Sequence, residues 1–296
     1  MCVTPDLAAL DRLVADAFAA ALARAPAKAD DIRKAQRMWV GGRKECFEVR
    51  DGERPDAESA AACLRRDYGK RLSRLADIAA VLPASVRKRE IKWSDEAHHV
   101  EVDIAYPSMA QASPGAAAFD AFFERKARTF EDRARRLAAD PDVVENAKYG
   151  GMPTSLDVSF EIPLATPRVV TVVFSGNEYP TGAAHALPFQ DAVSFDLQLG
   201  RPLAERDWFV PGGKERALAL VLRAVRGYAE VEPGDLPATI AKAAGDLSAW
   251  TFRPEAVVVT LPVYSIVGYA AGDTPIWLTY DELRSMLRAD APLPPR

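Results

Sequence analysis

The stretch ESAAACLRRDYGKRLSRLADIAAVLP at residues 58–83, followed by VEVDI at residues 100–104, decides the fold class of this 296-residue chain. In the first stretch the apolar side chains repeat at steps of three and four residues, the period of an amphipathic helix, and the closing proline ends the pattern. In the second, apolar and acidic residues alternate, the period of a strand with one solvent-facing side. This change of period predicts a helical domain at residues 1–82 and an α+β domain at residues 83–296.

The first 82 residues carry three apolar repeats that are each typical of an amphipathic helix. The first helix is capped by Thr4, the second runs from Asp30 or Asp31 to Arg43 beside a glycine pair, and the third begins near Glu58. The side chains predicted to point inward are Leu7, Leu10, Val14, Phe18 and Leu22 in the first helix, Ile32, Ala35 and Trp39 in the second, and Ala61, Leu64, Tyr68, Leu72, Leu75 and Ala79 in the third.

Beyond residue 82, segments of alternating polarity are separated by turn residues and by further helical repeats. Antiparallel meanders produce such alternation, whereas parallel sheets seldom do. A capping box at Thr279 and Glu282 begins a last helix that runs through Leu287. We therefore predict an α+β fold in which a mainly antiparallel sheet is packed with helices. The predicted strands cover residues 100–104, 156–162, 169–174, 193–199, 256–263 and 276–279, and the predicted helices cover residues 114–139, 214–228 and 236–247.

The composition argues against two classes of function. The chain has 38 basic and 42 acidic side chains, a net charge of −4 and no long block of one sign, so it lacks the basic stripe of a nucleic-acid-binding protein. Its longest apolar runs, such as residues 169–174, are far shorter than the roughly 20 residues that cross a bilayer. We expect neither a nucleic-acid partner nor a membrane span in this sequence.

Three cysteines, Cys2, Cys46 and Cys63, all lie in the first quarter of the chain. Cys46 and Cys63 flank a turn between two predicted antiparallel helices, where their Cα atoms come within disulfide range. Such a bond persists only in an oxidising compartment, which indicates the periplasm or the cell exterior. The competing interpretation is three ordinary cytosolic cysteines. The opening residues carry no export signal, so we expect a signal segment to precede this sequence in the natural protein.

Few side chains are available for catalysis, and only three of them are histidines. His98 and His99 are adjacent in a predicted strand, so their side chains leave opposite faces and do not share one ion. His185 follows a turn-like segment, where it is a base, a ligand or a hydrogen-bonding turn residue. The structural role is favoured because no cysteine, aspartate or second histidine lies at ligand spacing. We therefore predict no enzyme activity, no cofactor and no metal site.

The three N-terminal helices resemble the N-terminal domain of the LprI family of lysozyme inhibitors. Members usually have a further cysteine upstream of the position of Cys2, so the resemblance implies that the partner of Cys2 is missing from this sequence. Trp39 and Arg43 are interpreted as packing and ion pairing within the helical domain. The matching residues are Cys2, PDLAALD at residues 5–11, Gln36, Arg37, Met38, Trp39, Arg43, Cys46, Cys63, Leu64, Tyr68, Arg71 and Leu75.

The remainder resembles the extracytoplasmic domain shared by the anti-sigma factor RsiV, a lysozyme receptor, and by the non-catalytic region of some peptidoglycan deacetylases. The sequence departs from that family at Ala183, where members usually have a glycine that reaches positive φ at lower cost. The matching residues are IAYP at residues 104–107, Tyr179, GAAH at residues 182–185, Phe195, Asp196, Gly200, Leu203, Trp208, PVY at residues 262–264, GYAAG at residues 268–272, and residues 277–283.

Both resemblances imply an exported bacterial envelope protein that binds and inhibits lysozyme or a related peptidoglycan-cleaving enzyme. In residues 262–269, proline and glycine restrict the backbone while two tyrosines offer large contact area at low entropy cost. The competing interpretation of these tyrosines is ordinary packing. A peptidoglycan- or glycan-binding module without inhibitory activity, and an enzyme acting through His185, stay open as alternatives. The predicted partner contacts are Pro262, Tyr264 and Tyr269, with Gly182 and His185 beside them.

Overall fold

The structure is a computed structural model that describes residues 5–48, 55–80, 82–96, 98–113, 115–226 and 231–293. Cys2, the predicted cap Thr4 and the predicted helix ends at residues 114 and 228 lie outside the described residues. Within the described ranges, no helix is both long and apolar enough to cross a bilayer.

Helices and strands both contribute to the fold, which confirms the predicted α+β class. The helices are α1 Pro5–Arg24, α2 Ala29–Gly42, α3 Ala57–Ala79, α4 Ala116–Ala138, α5 Pro141–Ala147, α6 Glu205–Trp208, α7 Gly213–Val225, α8 Leu236–Ala244 and α9 Tyr280–Leu283. The strands are β1 Val86–Asp95, β2 Val100–Met109, β3 Thr154–Ala165, β4 Val169–Tyr179, β5 Leu187–Asp196, β6 Arg201–Pro202, β7 Trp250–Phe252, β8 Ala256–Leu261 and β9 Thr274–Thr279.

The three predicted N-terminal helices are confirmed as α1, α2 and α3. The Asp56 carboxylate caps α3 by accepting the backbone N–H of Ser59 at 2.7 Å, which satisfies one of the free donors at the helix start. The prediction that Ala35 points inward is wrong, because Ala35 is exposed. Ile32 is the one residue of α2 that is fully buried. The buried face of α2 is therefore narrower than the apolar repeat predicts.

The chain forms two compact units, and each contains a sheet. Of the described residues, those up to Ala80 and those from Glu205 to Leu293 form the first unit, and those between Leu82 and Ala204 form the second. The chain passes from the first unit to the second near residue 82, where the period of the sequence changes. It returns to the first unit at Glu205, and no feature of the sequence predicted that return. The division of the chain into a helical domain at residues 1–82 and an α+β domain at residues 83–296 stays a prediction.

The first unit has one core that joins the N-terminal helices to a C-terminal sheet. Strands β7, β8 and β9 form an antiparallel sheet of three strands. Helix α3 approaches it so closely that a side chain at Gly69 would meet the backbone oxygen of Pro275 at 2.5 Å. The helices and the sheet therefore bury their apolar faces against each other. The buried members of this core are Leu7, Leu10, Val14, Ala21, Ile32, Tyr68, Leu72, Leu75, Ala256, Val258 and Trp277.

The second unit is built on a six-stranded sheet in the order β1-β2-β3-β4-β5-β6. Its neighbouring strands are antiparallel except β2 and β3, which are parallel. The exception follows from the chain order, because α4 and α5 lie between these two strands and provide the crossover that a parallel pair requires. The prediction of a mainly antiparallel sheet is confirmed, and the parallel pair is a local departure from it.

Aromatic side chains of α4 fill the core of the second unit. Phe119, Phe123 and Phe130 pack on the sheet, and the Phe119 ring meets Phe195 edge to face with centroids 5.4 Å apart. Phe130 contacts Phe174 in the same manner at 5.3 Å. Such pairs add about 0.5–1.5 kcal/mol each beyond the burial of their area. The apolar face of α4 thus holds the crossover against β2, β4 and β5.

The strand predictions in the second unit differ from the structure at the end of β5 and at β1. Leu197 and Leu199 were expected in a strand, but β5 ends at Asp196 and both leucines lie in the turn that follows. The turn begins there because the buried Asp196 carboxylate accepts the backbone N–H groups of Gln198 and Leu199 at 2.8 and 2.9 Å. The edge strand β1 was not predicted at all, since its run of charged side chains hides the alternation.

Candidate functional site

The predicted contact segment forms an ordered loop between β8 and β9, which we call the docking loop and define as residues 262–272. Ile266 and Val267 anchor it in the first unit, with exposures of 1% and 6%. The Asp273 carboxylate closes its base by accepting the backbone N–H of Val263 at 3.0 Å. A loop fixed in this way loses little conformational entropy when a partner binds.

Tyr264 projects from the docking loop in an unusual backbone conformation. Its φ is +64°, a left-handed value that is a genuine outlier for a bulky side chain and costs about 1–3 kcal/mol. Its side chain is nevertheless 57% exposed, and its ring centroid lies 5.5 Å from that of Tyr269 at an angle of 34°. Tyr264 therefore presents much of its ring to solvent while it also contacts Tyr269, and the choice between partner contact and packing stays a prediction. Pro262 is also exposed, and Tyr269 is half-buried.

Burial raises the pKa of the Asp273 carboxyl above its usual range, and its bond from the Val263 N–H only partly offsets this. A carboxyl group whose pKa is raised on folding stabilises the folded state at pH values below its unfolded pKa. That stability is lost as the pH rises through its folded pKa. We expect Asp273→Asn, which keeps an acceptor for Val263, to gain thermal stability over the wild type at pH 7 and to lose that gain below about pH 3.9.

Asp56→Asn is the matched control for this prediction. The backbone and side-chain hydrogen bonds of Ser59 lower the pKa of Asp56, so its contribution is present above the unfolded value and lost as pH falls. The two variants should therefore change in opposite directions between pH 7 and pH 3.5 in thermal unfolding followed by circular dichroism. A stability difference for Asp273→Asn that does not vary with pH contradicts the burial of this carboxyl.

The second predicted contact segment, residues 182–185, lies in the second unit. Gly182 has φ +86°, a left-handed backbone conformation that favours glycine, and an added Cβ would lie 2.8 Å from the amide nitrogen of the Asn146 side chain. The Ala183 N–H donates to the Pro180 carbonyl at 3.0 Å and closes the turn. Nδ1 of the half-buried His185 lies 3.1 Å from the Ala186 carbonyl oxygen. Because the docking loop belongs to the first unit, a shared contact surface stays a prediction.

The prediction that His98 and His99 lie in a strand is wrong, because both occupy the turn that precedes β2. His99 has φ +55°, and its Nε2 lies 3.1 Å from the Gly151 carbonyl oxygen. Nδ1 of His98 lies 2.7 Å from the Asp95 carboxylate, and the pair is exposed. Over the described ranges, no group of three or more histidine, cysteine, aspartate or glutamate side chains is placed to hold a metal ion.

Trp39 and Arg43 take part in the packing and ion pairing of the N-terminal helices, in agreement with the interpretation of the sequence. The Arg43 guanidinium lies 4.7 Å from the Trp39 ring centroid and donates to the Tyr68 hydroxyl at 2.6 Å. Tyr68 in turn donates to Asp11 at 2.7 Å, and Arg43 pairs with the same carboxylate at 3.4 Å. This network joins α1, the turn after α2, and α3.

The predicted disulfide between Cys46 and Cys63 is confirmed. Cys46 lies in the short 3₁₀ turn Arg43–Phe47 after α2, and Cys63 lies in the second turn of α3. Their Cα atoms are 5.6 Å apart, near the commonest spacing for a cystine. The cross-link therefore ties the turn after α2 to the start of α3. Cys2 lies outside the described residues.

The chain is similar in structure to two crystal structures of DUF3298 family proteins. A member from Bacteroides fragilis NCTC 9343 is 18% identical over 70% of this chain and 95% of that chain, with a TM-score of 0.49. One from Pseudomonas aeruginosa PAO1 is 16% identical over 73% of this chain and 99% of that chain, with a TM-score of 0.48. No family model and no curated protein matches the chain. The chain is thus similar, at low identity, to DUF3298 family proteins.

Proposed function

We propose that this protein is an exported bacterial envelope protein that binds and inhibits lysozyme, or a related peptidoglycan-cleaving enzyme, through its docking loop. It acts by surface contact and not by catalysis of its own. The observation that carries the proposal is the conformation of Tyr264, whose strained backbone holds an aromatic ring in solvent. Strain of this kind persists where the surrounding structure maintains it, and it concentrates at binding sites.

Two further features support this proposal. Exposed tyrosines on a rigid loop are typical anchors of protein interfaces, because they bury a large area at a small entropy cost. The disulfide between Cys46 and Cys63 favours a location outside the reducing cytoplasm, where a lysozyme would be met. The sequence resemblances to the LprI and RsiV families name the class of partner.

The proposal predicts that the chain binds at least one lysozyme class and slows its lysis of cell walls. Tyr264→Ala should weaken binding by about 2 kcal/mol, or about 30-fold in Kd, because an anchor side chain is lost from the centre of the contact. Calorimetric titration of c-type, g-type and i-type lysozymes measures the affinity, and the clearing of a cell-wall suspension measures inhibition.

Phe47→Ala is the matched control, since Phe47 is an aromatic residue of similar exposure, 55%, outside the docking loop. It should bind lysozyme as the wild type does. Exposed aromatic rings also present a flat face to a sugar, so purified peptidoglycan serves as a second ligand. Retention on peptidoglycan with unchanged lysis rates would favour the glycan-binding alternative and reject the inhibitor.

A further inference from the structure

The side of the six-stranded sheet that faces away from α4 carries polar side chains at the end where β2 and β3 begin. The register of this parallel pair places Glu101 beside Ser155 and Asp103 beside Asp157. Residues directly opposite each other on neighbouring strands share one face of the sheet, so the registers of β1 and β4 extend the two pairs into two rows across four strands. We call these eight residues the polar face: Ser94, Glu101, Ser155 and Tyr179 in one row, and Lys92, Asp103, Asp157 and Asn177 in the other.

An open cavity of about 420 Å³ lies over the polar face. Six of the eight residues of the polar face line this cavity, together with Trp93 and Val102. The volume falls within the range of small-molecule sites, about 300–1,000 Å³. Because the lining residues stand on hydrogen-bonded strands, their polar groups are held in position before a ligand arrives, which lowers the entropy cost of binding.

Most hydrogen-bonding groups of the polar face have no partner within the protein. Lys92 and Asp103 form an ion pair at 3.0 Å. The other six side chains form no hydrogen bond and no ion pair with any residue that the structure describes. Five of the eight residues are exposed, and Asp103, Ser155 and Tyr179 are half-buried. These donors and acceptors are therefore open to a ligand from solvent.

The chemistry of the polar face favours a ligand that both donates and accepts hydrogen bonds. Carboxylates accept, whereas the serine, tyrosine and asparagine side chains both donate and accept. Burial and the negative charges of Asp103 and Glu101 raise the pKa of Asp157, and the same charges repel an anionic ligand. Over the described ranges these carboxylates belong to no group of three that is placed to hold a metal ion. The hydroxyl groups of a neutral sugar match this mixture of donors and acceptors.

We propose that the polar face is a second binding site of this protein and that it takes a neutral oligosaccharide. Neighbouring strands lie about 4.8 Å apart, so each row extends about 14 Å across the sheet and can contact successive sugar rings of a short chain. Tyr179 ends one row and offers an aromatic ring to the apolar face of a sugar. The site lies in the second unit and the docking loop in the first, so the inference goes beyond the proposed function and does not depend on it.

Calorimetric titration with tetra-N-acetylchitotetraose tests the polar face, and we expect a Kd of about 1 mM or tighter for the wild type. Asp157→Ala/Asn177→Ala removes one carboxylate and one amide from neighbouring strands. It should raise Kd at least about 10-fold, because two hydrogen bonds to the sugar are lost. Asp132→Ala/Gln198→Ala is the matched control, since it removes the same two groups from exposed positions of the second unit outside the polar face. This control and Tyr264→Ala should both keep the wild-type Kd.

Unfolding midpoints equal to that of the wild type ensure that all variants are folded. The inference is wrong if the wild type does not bind the tetramer, or if Asp157→Ala/Asn177→Ala binds it as tightly as the wild type does. Chitotetraose, which has free amino groups, serves as a cationic probe. If chitotetraose alone binds, the carboxylates merely attract cations, and the inference is also overturned. A Kd that rises only in Tyr264→Ala would assign the sugar to the docking loop and reject the polar face. Titration with lysozyme tests the proposed function separately.

Discussion

Replacing both Cys46 and Cys63 with alanine is expected to lower the free energy of unfolding by about 3 kcal/mol. The two cysteines are 17 residues apart in sequence, and cross-linking a loop of this length restricts the unfolded chain by roughly that amount in the chain-entropy model. Folded domains are stable by only about 5–15 kcal/mol, so the loss is a large share of the total. The helices would be affected first, because the cross-link joins the turn after α2 to α3.

Urea unfolding compares the Cys2→Ser protein, which cannot exchange its Cys2 thiol, with the same protein carrying Cys46→Ala and Cys63→Ala. As a control, the Cys2→Ser protein should have the same unfolding midpoint as the unchanged wild type. Adding reductant should shift the Cys2→Ser protein to the midpoint of the double variant and should not affect the double variant itself. Identical curves for all samples would show that the cross-link contributes no stability, and the support for an oxidising compartment would be lost with it.

Gly115→Ala is expected to destabilise the second unit by at least about 3 kcal/mol. Gly115 precedes α4 with φ +80°, and an added Cβ would lie 2.7 Å from the carbonyl carbon of Leu197 and 2.9 Å from its Cα. Leu197 cannot move away easily, because its own N–H donates to the Arg168 carbonyl at 2.7 Å. The variant therefore combines left-handed strain with a backbone clash at the start of α4.

Gly200→Ala separates these two contributions. Gly200 has φ +65°, but its added Cβ would lie 3.5 Å from the nearest atom, the Cβ of Ala118, which is an ordinary contact. This variant should show the backbone strain alone, about 1 kcal/mol. Thermal unfolding of both variants gives the comparison. Equal losses in the two would mean that the close approach of Gly115 to Leu197 is absent.

The helices of the first 80 residues could be predicted from sequence because their apolar side chains repeat with the helical period over many turns. The disulfide followed from the same pattern, since two cysteines at adjacent helix ends are brought close by the intervening turn. What could not be predicted is where these helices pack. Contacts such as Gly69 with Pro275 join residues about 200 positions apart, and no local pattern encodes them.

The sheet of the second unit could be predicted in part. Strands with one buried side, such as β3, show the alternation clearly, whereas the edge strand β1 has charged residues on both sides and resembles a loop. The parallel pairing of β2 with β3 has no sequence signal of its own. It follows only once α4 is known to cross the sheet and bury Phe119 and Phe123.

The sequence predicted which residue types form the candidate site, but it did not predict how those residues are arranged. Proline, tyrosine and glycine in residues 262–269 indicated a rigid loop with exposed aromatic rings, which Tyr264 provides. Asp273 was missed because it lies just beyond the segment. Lys70, whose ammonium donates to the Ala271 carbonyl oxygen at 3.1 Å, was missed because it lies about 200 residues before the loop.

Amide hydrogen exchange of this chain, with and without a saturating lysozyme, tests most directly whether residues 262–272 form the docking surface. We expect exchange to slow across that loop in the complex, while residues 43–47 keep the rates of the free protein. A complex that forms without any change at residues 262–272 would contradict the central claim that this loop is where the partner is bound.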